Sequence, residues 1–306
     1  MNSKKLKLSI IGSGVVGQAT GKGFASKGFD ITFIDVNPTI IDNLKEAGFQ
    51  AYLVGDENIP NDTDISIFTV PTPTVNDEIL LDYLKIAAKD LGKRIAKMEK
   101  YHLAVVRSTV PPGTTESIVK ILERYSGKKA GIGFGVCMNP EYLREVSAVE
   151  DFANPWIVVI GEFDQKSGDL LEKVYKRFNC PIHRVSLKEA EMQKYVHNLY
   201  NAFKITFFNE MRRIAKAIKV DPDNMFELTT KSCEGIWNHK YGTRDFGPFS
   251  GACLPKDTQA FLAWAQKKNL EANLLEATIE VNNTFKSSET TSSKKSAQSF
   301  TAGLPL

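Results

Sequence analysis

Short apolar runs alternate with amphipathic stretches through the first half of the chain. Leu6 to Ile11 reads as a buried strand and Val15 to Ser26 as a helix; Ile31 to Asp35 is a second strand, followed by a helix from about Thr39 to Ala47. Ile65 to Val70 and Leu103 to Arg107 are further strands, separated by a charged helix around Leu81 to Met98. Ile132 to Val136 and Trp156 to Ile160 continue the alternation. Strands alternating with helices predict an α/β fold, a Rossmann-like doubly wound parallel sheet with helices on both faces.

After about Ser186 the pattern becomes helical only. Leu187 to Ile218 carries a long helical period without Pro or Gly, and stretches near Asp257 to Lys267 and Glu271 to Phe285 also read as helices. The division expected is a Rossmann-like α/β domain over 1–186 and an all-helical domain over 187–285, opening with one long helix. Such a helix suits a homodimer interface and a substrate wall. Residues 286–306 begin with a run of Ser, Thr, Lys and Glu that lacks the apolar side chains needed to offset ordering entropy, so a disordered tail is expected.

Composition narrows the partners. The 306 residues are 42% hydrophobic and 25% charged, with a net charge of +3 spread over both signs, so neither a nucleic-acid nor an anionic-membrane footprint stands out. No apolar run approaches the ~20 residues that span a bilayer, and Met1 to Lys5 leads into a strand without a secretory core. Cys137, Cys180, Cys233 and Cys253 are scattered, with no C-x-x-C spacing and no clustered histidine, so no structural metal is expected. Free thiols in a reducing cytoplasm are the simplest reading.

The chemistry begins at Gly12-Ser13-Gly14-Val15-Val16-Gly17, between a strand and a helix. Gly12 permits the tight turn, Gly14 admits the pyrophosphate, and Gly17 lets helix and strand pack closely. The helix start at Val15 and Val16 offers free N–H groups and a positive dipole end. Asp35 ends the next strand, where a carboxylate would accept from a ribose 2′-hydroxyl and repel a 2′-phosphate, which favours NAD over NADP. Far downstream, Cys253 in Gly251-Ala252-Cys253-Leu254-Pro255-Lys256-Asp257 supplies a thiol. A thiolate at a nicotinamide can trap an aldehyde and so permit a second oxidation.

Three further segments join these: Arg107-Ser108-Thr109-Val110-Pro111-Pro112-Gly113-Thr114, whose Thr109 stands at the carboxyl end of a strand where the nicotinamide would bind, Asn139-Pro140-Glu141-Tyr142-Leu143-Arg144-Glu145, and Glu191-Met192-Gln193-Lys194-Tyr195-Val196-His197-Asn198. Together with Cys253-Leu254-Pro255-Lys256-Asp257 they resemble the UDP-glucose/GDP-mannose dehydrogenase family of nucleotide-sugar 6-dehydrogenases, from about Lys7 to Phe285. The resemblance implies a four-electron oxidation of a nucleotide-sugar C6 alcohol to a carboxylate with two NAD consumed, UDP-glucose being the default substrate. It makes Cys253 the nucleophile, Lys194 the stabiliser of developing oxyanion charge and Asn198 a donor beside it. Asp257 helps activate the hydrolytic water, Thr109 and Glu145 hold that water and move protons, and Glu141 contacts substrate or stabilises the site.

Taken singly these residues have plainer readings. Lys194 pairs with Glu191 on a helix surface, Glu141 and Glu145 form a solvated helix start, and Cys253 is a small buried hydrophobe. The other cysteines and the four histidines stay structural. Two departures from the family pattern stand out. Relatives usually continue into a third α/β domain that grips the nucleotide, whereas only about 20 mostly polar residues follow Phe285 here. Before the cysteine, His239-Lys240-Tyr241-Gly242-Thr243-Arg244 stands where an R-I-G-like stretch is common. Two other functions share the fold: a two-electron 3-hydroxyacid-type dehydrogenase, which needs no cysteine, and a catalytically silent NAD-binding homologue.

Overall fold

The computed structural model describes residues 5–243 and 247–296, the side chains of Glu145 and of residues 286–296 excepted. The chain divides into two compact units, Met1–Asn198 and Leu199–Leu306. The first contains β1 (Lys7–Ile11), α1 (Val15–Ser26), β2 (Asp30–Asp35), α2 (Pro38–Glu46), β3 (Gln50–Leu53), β4 (Ile65–Phe68), the hairpin β5 (Thr74–Val75) and β6 (Glu78–Ile79), and α3 (Asp82–Lys97). It continues with β7 (His102–Val106), α4 (Thr114–Ser126), β8 (Phe134–Met138), α5 (Ala148–Ala153), β9 (Val158–Glu162), α6 (Gln165–Tyr175), β10 (Ile182–Ser186) and the start of α7 (Leu187–Ala217).

Eight strands form one sheet in the order β10-β9-β8-β7-β4-β1-β2-β3. Alternate residues of the central strands point to opposite faces. Leu8, Ile10, Leu103 and Val105 join Phe24 and Leu171 in one apolar layer, while Ile11, Ala104 and Val106 join Leu84, Leu91 and Leu122 in the other. The sheet is therefore covered on both faces, as a parallel sheet requires. Local signals set the helix starts: Asn37 caps α2 by accepting from the N–H of Thr39 (3.0 Å) ahead of Pro38, and Asp164 caps α6 by accepting from Ser167 N–H (2.9 Å).

The sheet departs from the expected all-parallel pattern at one junction. β8 and β9 pair antiparallel through Cys137 with Glu162 and Met138 with Gly161, while β9 and β10 are parallel to each other. The link between β8 and β9 holds only the 3-10 turn Glu145–Ser147 and the short α5, which packs on α1. It does not cover the β8–β9 pair as a crossover helix would, and the chain returns in the opposite sense. β8 and β9 also each start two residues later than the apolar runs suggest, and β3, the β5–β6 hairpin and β10 are additional strands.

The second unit holds the remainder of α7, α8 (Pro222–Ser232), α9 (Glu234–Trp237), α10 (Leu254–Lys267) and α11 (Asn273–Ser296). Its buried cluster is small, with Ile214, Ala265 and Ala272 at its centre. Glu210 of α7 accepts from Leu274 N–H at the start of α11 (2.9 Å). The backbone of α11 is helical to Ser296, into the segment where composition predicts a disordered tail; extending an existing helix costs far less than nucleating one. Residues 297–306 lie outside the described residues. Among the described residues no helix is long and apolar enough to cross a membrane.

A polar chain runs through the first unit's core. Ser9 Oγ and Ser66 Oγ are 2.6 Å apart, Ser66 Oγ lies 3.0 Å from His102 Nε2, and His102 Nδ1 lies 3.0 Å from Thr63 O. Burial holds the His102 pKa down at about 4, so the folded state keeps it neutral where the unfolded chain would protonate it below about 6.5. Its contribution to stability is therefore full above pH 6.5 and disappears as pH falls to 4, a loss of about 3 kcal/mol at most. Urea titrations should show a shallower decline in stability between pH 6.5 and 4 for His102→Gln than for the native protein; parallel declines would remove His102 as the cause.

Candidate active site

The cofactor loop follows from close backbone packing. Gly12 has φ +95°, and a Cβ there would lie 2.7 Å from Val70 N. A Cβ on Gly17 would lie 2.0 Å from the Gly12 carbonyl oxygen, so α1 meets the loop at a distance only glycine allows. Gly14, the N-cap of α1, differs: nothing lies within 4 Å of its would-be Cβ, and no side chain caps the helix start at Val15 and Val16. An open, uncapped helix N-terminus is an anion cradle.

Asp35 ends β2 against this loop and is buried. Its Oδ2 accepts from Ser13 N–H and its Oδ1 from Asn37 N–H (2.8 Å). Each carboxylate oxygen keeps acceptor capacity for a ribose hydroxyl, but the side chain also anchors the loop, a role the spacing alone did not reveal.

The loops after β7 and β8, strands parallel to β1, leave the same end of the sheet as the cofactor loop. Thr109 is half-buried, and its carbonyl accepts from Thr72 Oγ1 (2.7 Å); Ser108 Oγ donates to Val70 O (2.6 Å). Residues 139–144 are not helical, so Glu141 and Glu145 are not neighbours on a helix turn. Leu143 N–H donates to Glu141 Oε2 (2.6 Å), and the Arg144 guanidinium binds Asp151 at 3.0 and 2.6 Å, which holds that carboxyl well below the usual range. Glu145 opens the 3-10 turn, and its side chain lies outside the described residues.

Lys194 reaches this loop from α7. It is 5% exposed and binds Glu141 Oε1 at 2.9 Å and the Glu141 carbonyl oxygen. Two of its three ammonium hydrogens are thus engaged, leaving one donor. The surface pair with Glu191 does not form: Glu191 is fully buried and accepts instead from Gly113 and Thr115 N–H at 2.5 and 2.6 Å. Tyr142 Oη donates to Gln193 Oε1, and burial pushes its pKa up to about 12. The His197 ring packs on Tyr142 (4.8 Å between centroids), and burial, with Lys194 nearby, lowers its pKa. Asn198 stands one turn beyond Lys194 and is exposed.

Arg107, Asn139 and Tyr175 form a second buried cluster that sequence reasoning missed. Arg107 Nη1 donates to Asn139 Oδ1 (2.5 Å) and Tyr175 Oη (3.1 Å), and Asn139 Nδ2 donates to Val159 O (2.8 Å). These bonds join partners 20 to 68 residues apart, which no local spacing signals.

Cys253 and Asp257 belong to the second unit. Cys253 is the exposed N-cap of α10, and Asp257 N–H donates to its carbonyl (2.9 Å), so the two lie four apart at a helix start. Exposure overturns the reading of this thiol as a buried hydrophobe. Asp257 is exposed and pairs with Lys256 at 2.8 Å. Cys137, by contrast, is fully buried, and burial pushes its thiol pKa up. Arg244 lies outside the described residues.

The profile of the UDP-glucose/GDP-mannose dehydrogenase family's NAD binding domain matches residues 6–57 and 54–179, and that of its central domain matches 188–284. The chain belongs to this family. It is 36% identical over 298 residues to GDP-mannose 6-dehydrogenase of Pseudomonas savastanoi pv. phaseolicola, covering 90% of this chain and 68% of that protein. It is 33% identical over 304 residues to UDP-glucose 6-dehydrogenase of Haloferax volcanii, covering 90% and 69%. Among solved structures, GDP-mannose dehydrogenase from Pseudomonas aeruginosa superposes with a TM-score of 0.85 at 34% identity, covering 91% of this chain and 68% of that one. UDP-glucose dehydrogenase from Pyrobaculum islandicum gives 0.70 at 34%, covering 92% and 69%.

NAD is thus the cofactor of this oxidoreductase, and the open space at Gly14, the uncapped α1 terminus and the buried Asp35 fit it. Asp35→Ala should weaken NAD binding about 10- to 100-fold, from lost hydrogen bonds to a charged group, and reduce discrimination against NADP. Fluorescence titration with both cofactors checks this; an unchanged NAD/NADP ratio would put ribose recognition elsewhere.

Proposed function

We propose that the protein oxidises the C6 alcohol of a nucleotide sugar to a carboxylate in two NAD-dependent steps. Bound NAD supplies the hydride acceptor. C6 loses a hydride and its hydroxyl loses a proton to give an aldehyde; the Cys253 thiolate then adds to the carbonyl carbon and the carbonyl oxygen takes up a proton, forming a thiohemiacetal. Removal of a second hydride and the hydroxyl proton gives a thioester. Water then adds, the C–S bond breaks, and the acid and the free thiol are released. The observation that carries this reading is Cys253: an exposed thiol in C-L-P-K-D at the start of α10, on a chain with an NAD loop and the segment E-x-x-K-x-x-x-N.

Lys194 stabilises the oxyanion with its remaining donor, supported by Asn198 on the same helix face, and Glu141 fixes the ammonium. Thr109 and Glu145 hold the hydrolytic water, and Asp257 helps activate it. GDP-mannose joins UDP-glucose as a substrate to test first, because the relatives named for it reach 36% identity against 33% for a UDP-glucose enzyme. A thiol nucleophile requires a reducing compartment, which supports a cytoplasmic location.

With limiting sugar nucleotide and excess NAD, two NADH should form per sugar consumed, and Cys253→Ser should lower turnover roughly 1,000-fold or more. One NADH per sugar would instead indicate a two-electron alcohol dehydrogenase; cofactor binding without turnover on either sugar nucleotide would favour a silent homologue.

The assembly we infer is a homodimer through α7, whose face bearing Leu199, Tyr200, Phe203 and Phe207 is 39–62% exposed. Sedimentation at micromolar concentration should give a dimer; a monomer would reassign that face.

A further inference from the structure

We propose that Glu191 is a positioning residue that fixes the turn carrying Thr109 onto the helix carrying Lys194. The catalytic half of this inference rests on the function proposed above. α4 begins after Gly113, which sits at φ +91° and offers no side chain to cap the helix. The Gly113 and Thr115 N–H groups would be left without acceptors, and both carboxylate oxygens of Glu191 accept them from α7, across 78 and 76 residues of sequence. Glu191 is 0% exposed, and among the described residues it forms no ion pair. Its charge is balanced by those two N–H groups and the positive end of the α4 dipole.

The neighbouring residues on α7 bind the next loop. Gln193 accepts from Tyr142, and Lys194 holds Glu141 through its carboxylate and its carbonyl. One turn of α7 therefore fastens the loops that follow two adjacent strands, β7 and β8. The far side of the Thr109 turn is tied separately, through Thr72 and Ser108. Cutting the Glu191 bonds frees the turn on the α7 side alone. The Gly12–Gly17 cofactor loop has its own anchor at Asp35 and is untouched. A merely structural carboxylate would weaken the whole unit; a positioning one acts on the Thr109 turn and on the chemical step.

Glu191→Gln retains the shape but replaces one acceptor with a donor. In the full-length protein we expect faster amide hydrogen exchange confined to residues 109–115, NAD affinity unchanged within about twofold, and kcat on the nucleotide sugar lowered about tenfold or more at constant KM for NAD. Glu191→Asp, which keeps the charge on a shorter stem, should fall between, and serves as the test if the amide variant fails to fold. Lys188→Ala, which removes the exposed Lys188–Glu116 pair between the same two helices, should leave exchange and kcat as in the native protein. Unchanged exchange at 109–115 overturns the proposal. So does faster exchange throughout the first unit together with loss of NAD binding, and so does an unaltered kcat. If the native protein oxidises no nucleotide sugar, the functional reading fails, while the exchange pattern still decides whether Glu191 fixes the turn.

Discussion

A buried ammonium needs an anion, and the loop after β8 takes its shape from that need. Lys194 is 5% exposed, and Glu141 provides it with both a carboxylate oxygen and a backbone carbonyl. Removing one partner of such a pair leaves an uncompensated buried charge, at a cost of about 3–5 kcal/mol. The constraint acts in both directions: residues 139–144 adopt no regular structure of their own, and α7 cannot shift along its axis without drawing the ammonium from its site. The Arg144–Asp151 pair, at 2.6 Å, then closes the loop from its other end.

The same device recurs along α7. Glu191 supplies a carboxylate to the start of α4 in the first unit, and Glu210 supplies one to the start of α11 in the second. Each satisfies N–H groups that a helix cannot satisfy internally, and each places negative charge at the positive end of a dipole. The long helix is thereby fixed within each unit by directional bonds as well as by buried apolar side chains. In the second unit those side chains belong to the small cluster around Ile214, Ala265 and Ala272.

What could be read from the sequence follows the range of the interactions. α1 spans Val15–Ser26 as expected, because both of its limits are local: Gly14 opens it, and Gly28 with φ +85° follows its end. The cofactor loop was legible for the same reason, since Gly12, Gly14, Gly17 and Asp35 meet within a single βαβ unit. The antiparallel β9 was not, because its sense depends on where α5 packs. Nor was the true partner of Lys194. Spacing of three on a helix suggested Glu191, but the fold turns Glu191 inward to α4 and brings Glu141 from 53 residues away. The joint motif grouped Lys194 with Glu141 without indicating that they bind each other.

Loops at the end of a sheet are ordinarily its least stable parts, because few apolar contacts hold them. Here the two apolar layers secure the strands, and the strand ends are secured by a different physics. Gly12 and Gly17 allow backbone to touch backbone, Asp35 ties the first loop, Thr72 and Glu191 tie the second from opposite sides, and Lys194 ties the third. Hydrogen bonds are directional where apolar contact is not, so they fix orientation as well as distance. Bonds that would each be modest at the surface become stringent when buried, because an unmade one leaves a desolvated group without a partner. A site that must hold a cofactor and move protons needs that stringency, since tolerances near an ångström govern the rate of such chemistry.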